Sequence, residues 1–195
     1  MAHARKLEQD LYAELEALPA HMVGEIVNGV LYAHPRPARG HGSAATELLT
    51  EVNAPFGRGR GGPGGWKFIV EQELHLGPHV VVPDISGWKI ERYPNHELTP
   101  YSTVAPDWLC EVLSPSTSKL DRVEKLKIYA EYGVPHCWYV DPAAQSLEVF
   151  ILAGKTYLVG PAFSGADPVA APPFETHTID LSLLWDVPVT KANAR

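Results

Sequence analysis

The chain has 195 residues, with 23 Asp and Glu against 16 Lys and Arg for a formal charge of −7. That length favours one globular domain, and the charge excludes a basic coat that grips nucleic acid over the whole surface, though not a local basic cleft. A hydrophobic fraction of 45% excludes a disordered chain, and two cysteines are too few for a disulfide framework, so a reducing, cytoplasmic compartment is expected.

A helix is predicted over residues 4–18, with Leu7, Leu11, Leu15 and Leu18 along one stripe that packs against the domain. Its charges fall where a signal peptide would need an apolar centre, and no run approaches the length of a membrane span. VGEIVNGVLYAH follows, and Asn28-Gly29 between β-formers predicts a hairpin whose second strand ends at Pro35 and Pro37. Residues 40–56 read as a helix with Ser43 as its N-cap and Pro55 as its stop.

Residues 57–65 hold six glycines in nine positions. They lack the Gly-Lys-Ser/Thr ending of a phosphate loop. A mobile connection, or a flap carrying Arg58 and Arg60, is expected instead. WKFIVEQELHL and HVVVPDISGWKI then read as two successive strands divided by Gly77-Pro78, and residues 91–106 as a long surface loop. DWLCEVL, residues 107–113, has the near-complete apolar filling of a strand at a sheet centre. SPST makes a turn, and residues 119–132 form a helix ended by Gly133 and Pro135. That helix leads into HCWYV as a β–α–β crossover. Residues 146–152 and 155–159 form a hairpin, and THTIDLSLLWDV is a terminal strand or short helix. The fold class is mixed α and β, in one domain with a core over about 20–160 and an extension over 161–195.

Three features carry chemistry. Asp84 follows Pro83 at the end of an apolar strand; it is either a turn residue that caps the backbone or an acid in need of a partner. Glu111 shares a strand face with Leu109 and Leu113, where an uncompensated carboxylate is costly. A metal ion, a lysine, a catalytic duty or an edge position would each resolve that cost. In the following helix Asp121, Lys125 and Ile128 share one stripe, and Leu120, Val123, Leu126 and Ala130 make an apolar one. Asp121–Lys125 is either a surface pair, worth roughly 0.2–0.5 kcal/mol, or a polar edge from which Lys125 reaches the carboxylates of the preceding strand.

VVVPDISGW together with PDWLCEVLSPSTSKLDRVEKLKIYAEYGVPHCWYVDP resembles the Uma2 family of restriction-endonuclease-like proteins, assigned to the PD-(D/E)xK nuclease superfamily. GEIVNGVLYAHPRPARGHGSAATELL is similar to the opening of that family, and the resemblance spans roughly residues 20–160. It implies a restriction-endonuclease-like core, a mixed sheet flanked by helices, with Pro83-Asp84 as the PD motif and Glu111 as the second acid. Position 113 departs from the pattern: it is Leu where E-x-K would place lysine, which makes Lys125 the candidate amine. The resemblance also nominates Glu25 and His41 as accessory residues, and Asp121 stands beside Lys125 as a third.

Such a site would use Mg²⁺ or Mn²⁺, hard ions suited to oxygen ligands, held by Asp84, Glu111 and the backbone carbonyl of Val112. The expected activity is hydrolysis of phosphodiester bonds in DNA, by a homodimer if both strands are cut. Two other readings stand beside it: a catalytically silent interaction or scaffold protein on the same fold, and a hydrolase of another phosphate ester. Nine histidines without H-E-x-x-H or paired Cys/His spacing do not make a zinc site. Cys110 and Cys137 read as core thiols, and Tyr129, Tyr132, Trp138 and Tyr139 as packing for the crossover. Arg36, Arg39, Arg58, Arg60 and Lys67 are expected to form a local positive rim.

Overall fold

Asn28 and Gly29 adopt φ of 52° and 74°, the left-handed pair that a tight two-residue turn requires. The turn joins β1 (Met22–Val27) to β2 (Val30–Pro35) in antiparallel register. The computed structural model describes residues 2–94 and 99–185. Part of the 91–106 loop and the last two residues of the predicted 176–187 segment lie outside them. Helix α1 (Ala2–Glu16) precedes the hairpin, and Leu15 and Leu18 at its end lie on Gly24 of β1. Leu7 falls outside the described side chains. No helix among the described residues is long and apolar enough to cross a membrane.

Helix α2 (Arg39–Val52) starts ahead of the predicted Ser43 cap; Ala38 is its N-cap and offers no side-chain bond. It buries Ala44, Leu48 and Val52 and then passes into a widened π turn, Asn53–Gly57, that contains Pro55 rather than stopping there. The glycine-rich loop is tied to this turn and is no free flap. Amides of Arg58, Arg60 and Gly64 donate to the carbonyls of Asn53, Ala54 and Pro55. Gly62 lies so close to Pro55 that a Cβ would come within 2.5 Å of it.

Each of the two long runs predicted as one strand is divided between two sheets. The first run gives β3 (Trp66–Val70) and β4 (Glu73–Leu76); the second gives β5 (His79–Val81) and β6 (Ile85–Lys89). β3 pairs with β6, and β4 with β5. Glu71, at φ 46°, turns the chain at the first crossing. Pro83, which has no amide to offer a ladder, sits at the second.

Beyond them come β7 (Tyr101–Ser102), β8 (Trp108–Val112), β9 (His136–Asp141), β10 (Ser146–Ala153), β11 (Thr156–Ser164), β12 (Pro168–Val169) and β13 (Ile179–Asp180). The smaller sheet runs β2-β1-β5-β4-β7, the larger β11-β10-β9-β8-β6-β3, and β12 pairs with β13. β8 is antiparallel to β6 and parallel to β9. The crossover between β8 and β9 is a π-wound turn, Leu120–Lys125, running into α3 (Leu126–Glu131).

The larger sheet is the middle layer. One face packs on α2 and on Val169, Phe174, Ile179 and Leu184, so the segment after residue 160 supplies core and is no mere extension. The other face packs on α3 and on the smaller sheet through Leu109, Tyr129, Tyr139, Val81 and Leu74. Each such side chain fully removed from water contributes about 1.5–3 kcal/mol toward folding. Cys110 and Cys137 are buried free thiols, as expected, and burial pushes both up.

Candidate functional site

Asp84 stands at the seam where the chain leaves the smaller sheet and enters the larger. The β6–β8 register pairs Ile85 with Cys110, so Asp84 stands one step on, beside Glu111. The Val112 amide donates to Asp84 Oδ2 at 2.7 Å, and His41 Nε2 of α2 lies 3.3 Å from Oδ1. The carboxylate therefore ties the end of one central strand to its neighbour, and it is not a simple turn cap. For His41, burial works against the charged ring, but the Asp84 carboxylate outweighs it and the net shift is upward.

Glu111 is 3% exposed on a central strand, which removes the edge-strand reading. Lys125 Nζ meets its Oε1 at 2.7 Å, Glu25 Oε1 at 2.8 Å and Asp121 Oδ1 at 3.1 Å. The surface-pair reading of Asp121–Lys125 is corrected by this: both residues are buried, 3% and 2% exposed. Of the predicted apolar stripe Ala130 is buried and Leu120 and Leu126 pack against the core, but Val123 is exposed, while Asp121, Lys125 and Ile128 of the other stripe are buried. Three carboxylates bind this ammonium where burial of a lone charge would be prohibitive. Burial alone would lower the Lys125 pKa; Glu111, Glu25 and Asp121 override it and hold the group well above its ordinary value.

The carboxylates do not fare alike. Burial raises Glu111 well above the usual range, and neighbouring Asp121, Asp84 and Glu25 add to the rise against the pull of Lys125. Burial opposes the charge of Glu25 as well. There Lys125, His34 and the Val82 amide, which donates to Oε1 at 2.7 Å, prevail and bring the carboxyl to about 2. The contact between His34 Nε2 and Glu25 Oε2 is 3.5 Å, a charge contact rather than a good hydrogen bond.

Glu25, His41, Asp84, Glu111, Asp121 and Lys125 thus line one cavity of about 280 Å³, with the Val112 backbone in its wall. Of the five basic residues expected as a rim, only Arg36 lines it. Among the described residues no three His, Cys, Asp or Glu side chains form a ready metal cage. The donor chemistry nevertheless fits a hard divalent cation: five carboxylates, Glu25, Glu71, Asp84, Glu111 and Asp121, line the cavity against the Lys125 ammonium and the Arg36 guanidinium. Mg²⁺ commonly takes only one or two protein carboxylates and keeps its waters.

Three side chains of the site were not singled out from the sequence as part of it. Tyr129 donates to Glu111 Oε1 and Tyr139 to the Asp121 carbonyl, each at 2.5 Å; both were expected only as packing. His34 was findable, because the Asn28-Gly29 turn fixes a register that pairs Glu25 with Tyr32 and places His34 diagonally on the same face.

The family model of Uma2, described as "Putative restriction endonuclease", matches residues 10–183. A solved structure, "Crystal structure of a putative nuclease belonging to DUF820 from Anabaena variabilis ATCC 29413", is similar with a TM-score of 0.73 and 23% identity. The match covers 90% of this chain and 96% of that one, and it establishes the shared fold. No curated protein matches the chain.

Proposed function

The chain belongs to the Uma2 family, and on that footing we propose that it is a metal-dependent endonuclease that hydrolyses phosphodiester bonds in DNA. The observation that carries this reading is the meeting of Asp84, Glu111 and Lys125, from three separate parts of the chain, on one cavity. Asp84 and Glu111, with the Val112 carbonyl, would hold Mg²⁺ or Mn²⁺. Such an ion, when bound, supplies Lewis-acid polarisation of a phosphoryl oxygen and a more acidic water.

The chain's own residues account for the rest. His41 and the Val112 amide fix the two oxygens of Asp84, and Tyr129 fixes Glu111. Leu113 is core, so the lysine missing from that position is replaced from the crossover. Lys125 stays protonated, which suits it to balance charge developing on phosphoryl oxygens and not to act as a base.

The test is cleavage of plasmid DNA with Mg²⁺ by the wild type, Asp84→Asn and Glu111→Gln. Both isosteric variants should keep the fold and lose about a hundredfold or more in rate, as for loss of one group that stabilises transition-state charge. Equal residual activity in all three would assign the cleavage to a contaminant. Absence of cleavage by a folded wild type would favour the catalytically silent protein.

A further inference from the structure

One basic side chain at the rim is not used by that chemistry. Arg36, just past β2, donates through Nη1 to Glu71 Oε2 at 3.0 Å and through Nε to the Ala20 carbonyl at 3.2 Å. Neither contact uses Nη2. Glu71 is held in place by its backbone, at φ 46°, with its amide donating to the Asp84 carbonyl at 3.1 Å. Its backbone is therefore anchored one hydrogen bond away from the residue at the centre of the site.

Three hollows meet at this pair. The first is the cavity of about 280 Å³ that holds Asp84, Glu111 and Lys125. A second, of about 490 Å³, runs along α2 past Gly42, Thr46 and Thr50 and shares His41 and Asp84 with the first. A third, of about 440 Å³, lies between the end of α1 and β1. Arg36 and Glu71 line all three, so their ion pair is the wall between them.

The pair is a poor stabiliser, with side chains 57% and 45% exposed. It is well suited to exchange. A guanidinium binds phosphate in the same forked way as it binds carboxylate. Arg39, Arg58, Arg60 and Lys67 do not line the cavity, which leaves Arg36, of these five, as the basic side chain on its wall.

We propose that Arg36 is the clamp for a phosphate of the DNA strand and that Glu71 is its internal stand-in anion. In the free protein Glu71 occupies the guanidinium. An incoming phosphate displaces it, the wall opens, and the strand runs from the cavity into the hollow along α2. This assignment rests on the nuclease reading and names how its substrate is gripped.

The two partners should then act with opposite signs. Binding of a short fluorescein-labelled DNA duplex is followed by anisotropy, with Ca²⁺ in place of Mg²⁺, for the wild type, Arg36→Gln, Arg36→Lys and Glu71→Gln. Arg36→Gln should weaken binding several-fold and reduce the slope of log affinity against log salt by about one. Arg36→Lys should keep the slope and recover part of the affinity, and Glu71→Gln, which removes the competitor, should bind several-fold tighter. Weaker binding in both Arg36→Gln and Glu71→Gln, no change in either, or no DNA binding by the wild type would each overturn the clamp. Cleavage with Mg²⁺ reads the nuclease assignment separately. Cleavage lost in Glu111→Gln, with anisotropy unmoved by Arg36→Gln and Glu71→Gln, would keep the nuclease and discard the clamp.

Discussion

Glu25 and Glu111 share one ammonium and respond to it in opposite ways. Glu25 adds the Val82 amide and His34 to its bond with Lys125, and its carboxyl falls to about 2. Glu111 has Lys125 and the Tyr129 hydroxyl on one oxygen but lies among three other carboxylates, and burial drives it up. The consequences for stability have opposite signs. Glu25 contributes stability that is present above its unfolded value of 4.5 and is lost as pH falls toward about 2. At Glu111 the folded protein holds the proton beyond 4.5 while the unfolded chain gives it up, so stability falls as pH rises through that interval. His34 is raised, chiefly by its contact with Glu25, so its contribution is full below 6.5 and is lost as pH rises through the folded value. Urea denaturation in metal-free buffer should therefore show a flatter acid limb for Glu25→Gln. Glu111→Gln should lose much of the decline above about pH 4.5. Unchanged profiles would mean that neither carboxyl group is shifted as its contacts imply. Glu111 was legible in the sequence as a carboxylate among apolar neighbours on a central strand. Lys125 was nominated as an amine able to reach it but was not fixed as its partner, because a surface Asp121–Lys125 pair and a buried one have the same i, i+4 spacing.

At the scale of elements, β6 and β8 carry the site, and their close approach depends on Gly87. A Cβ there would meet Phe68 at 2.9 Å and Trp108 at 3.1 Å, both aromatic rings packed in the core. Gly87→Ala should cost about 1–3 kcal/mol, the range for overpacking, and lower the melting temperature. A variant as stable as the wild type would mean that the rings have room to shift. The hairpins, the central strand and the crossover were legible because each rests on local signals: Asn28-Gly29, a filled apolar run, and Gly133 with Pro135 behind a helical stripe. The division of residues 66–76 and 79–90 between two sheets was not. Alternation describes a strand's own two faces and says nothing about which neighbour forms its ladder. Within residues 120–129, burial departs from the apolar pattern at Val123 for a related reason. Apolar periodicity ranks Val123 and Leu126 above Asp121 and Lys125, whereas the carboxylates waiting on β1 and β8 reverse that order.

For the whole molecule, the −7 charge is in part a property of one cavity, where five carboxylates face one ammonium and one guanidinium. A divalent cation should therefore stabilise the wild type, by about 2.7 kcal/mol once the ion is at a hundred times its Kd. Thermal melts with Mg²⁺ or Mn²⁺ should show the shift, and Asp84→Asn should lose most of it. Equal shifts in both proteins would locate the ion elsewhere. The amino-acid sequence alone determined the mixed α and β order and the resemblance to Uma2, and it nominated Asp84, Glu111 and Lys125, with Glu25, His41 and Asp121 beside them and Arg36 on the rim, since these reside in short runs whose pattern and composition are local. Tertiary structure alone decided that these residues converge on one cavity, that the Lys125 ammonium is shared among three carboxylates, and that Glu71 pairs with Arg36 at the rim. Those contacts link positions far apart in the chain. They form because burial of one charge requires another, and only packing two sheets and a crossover together determines which charges meet.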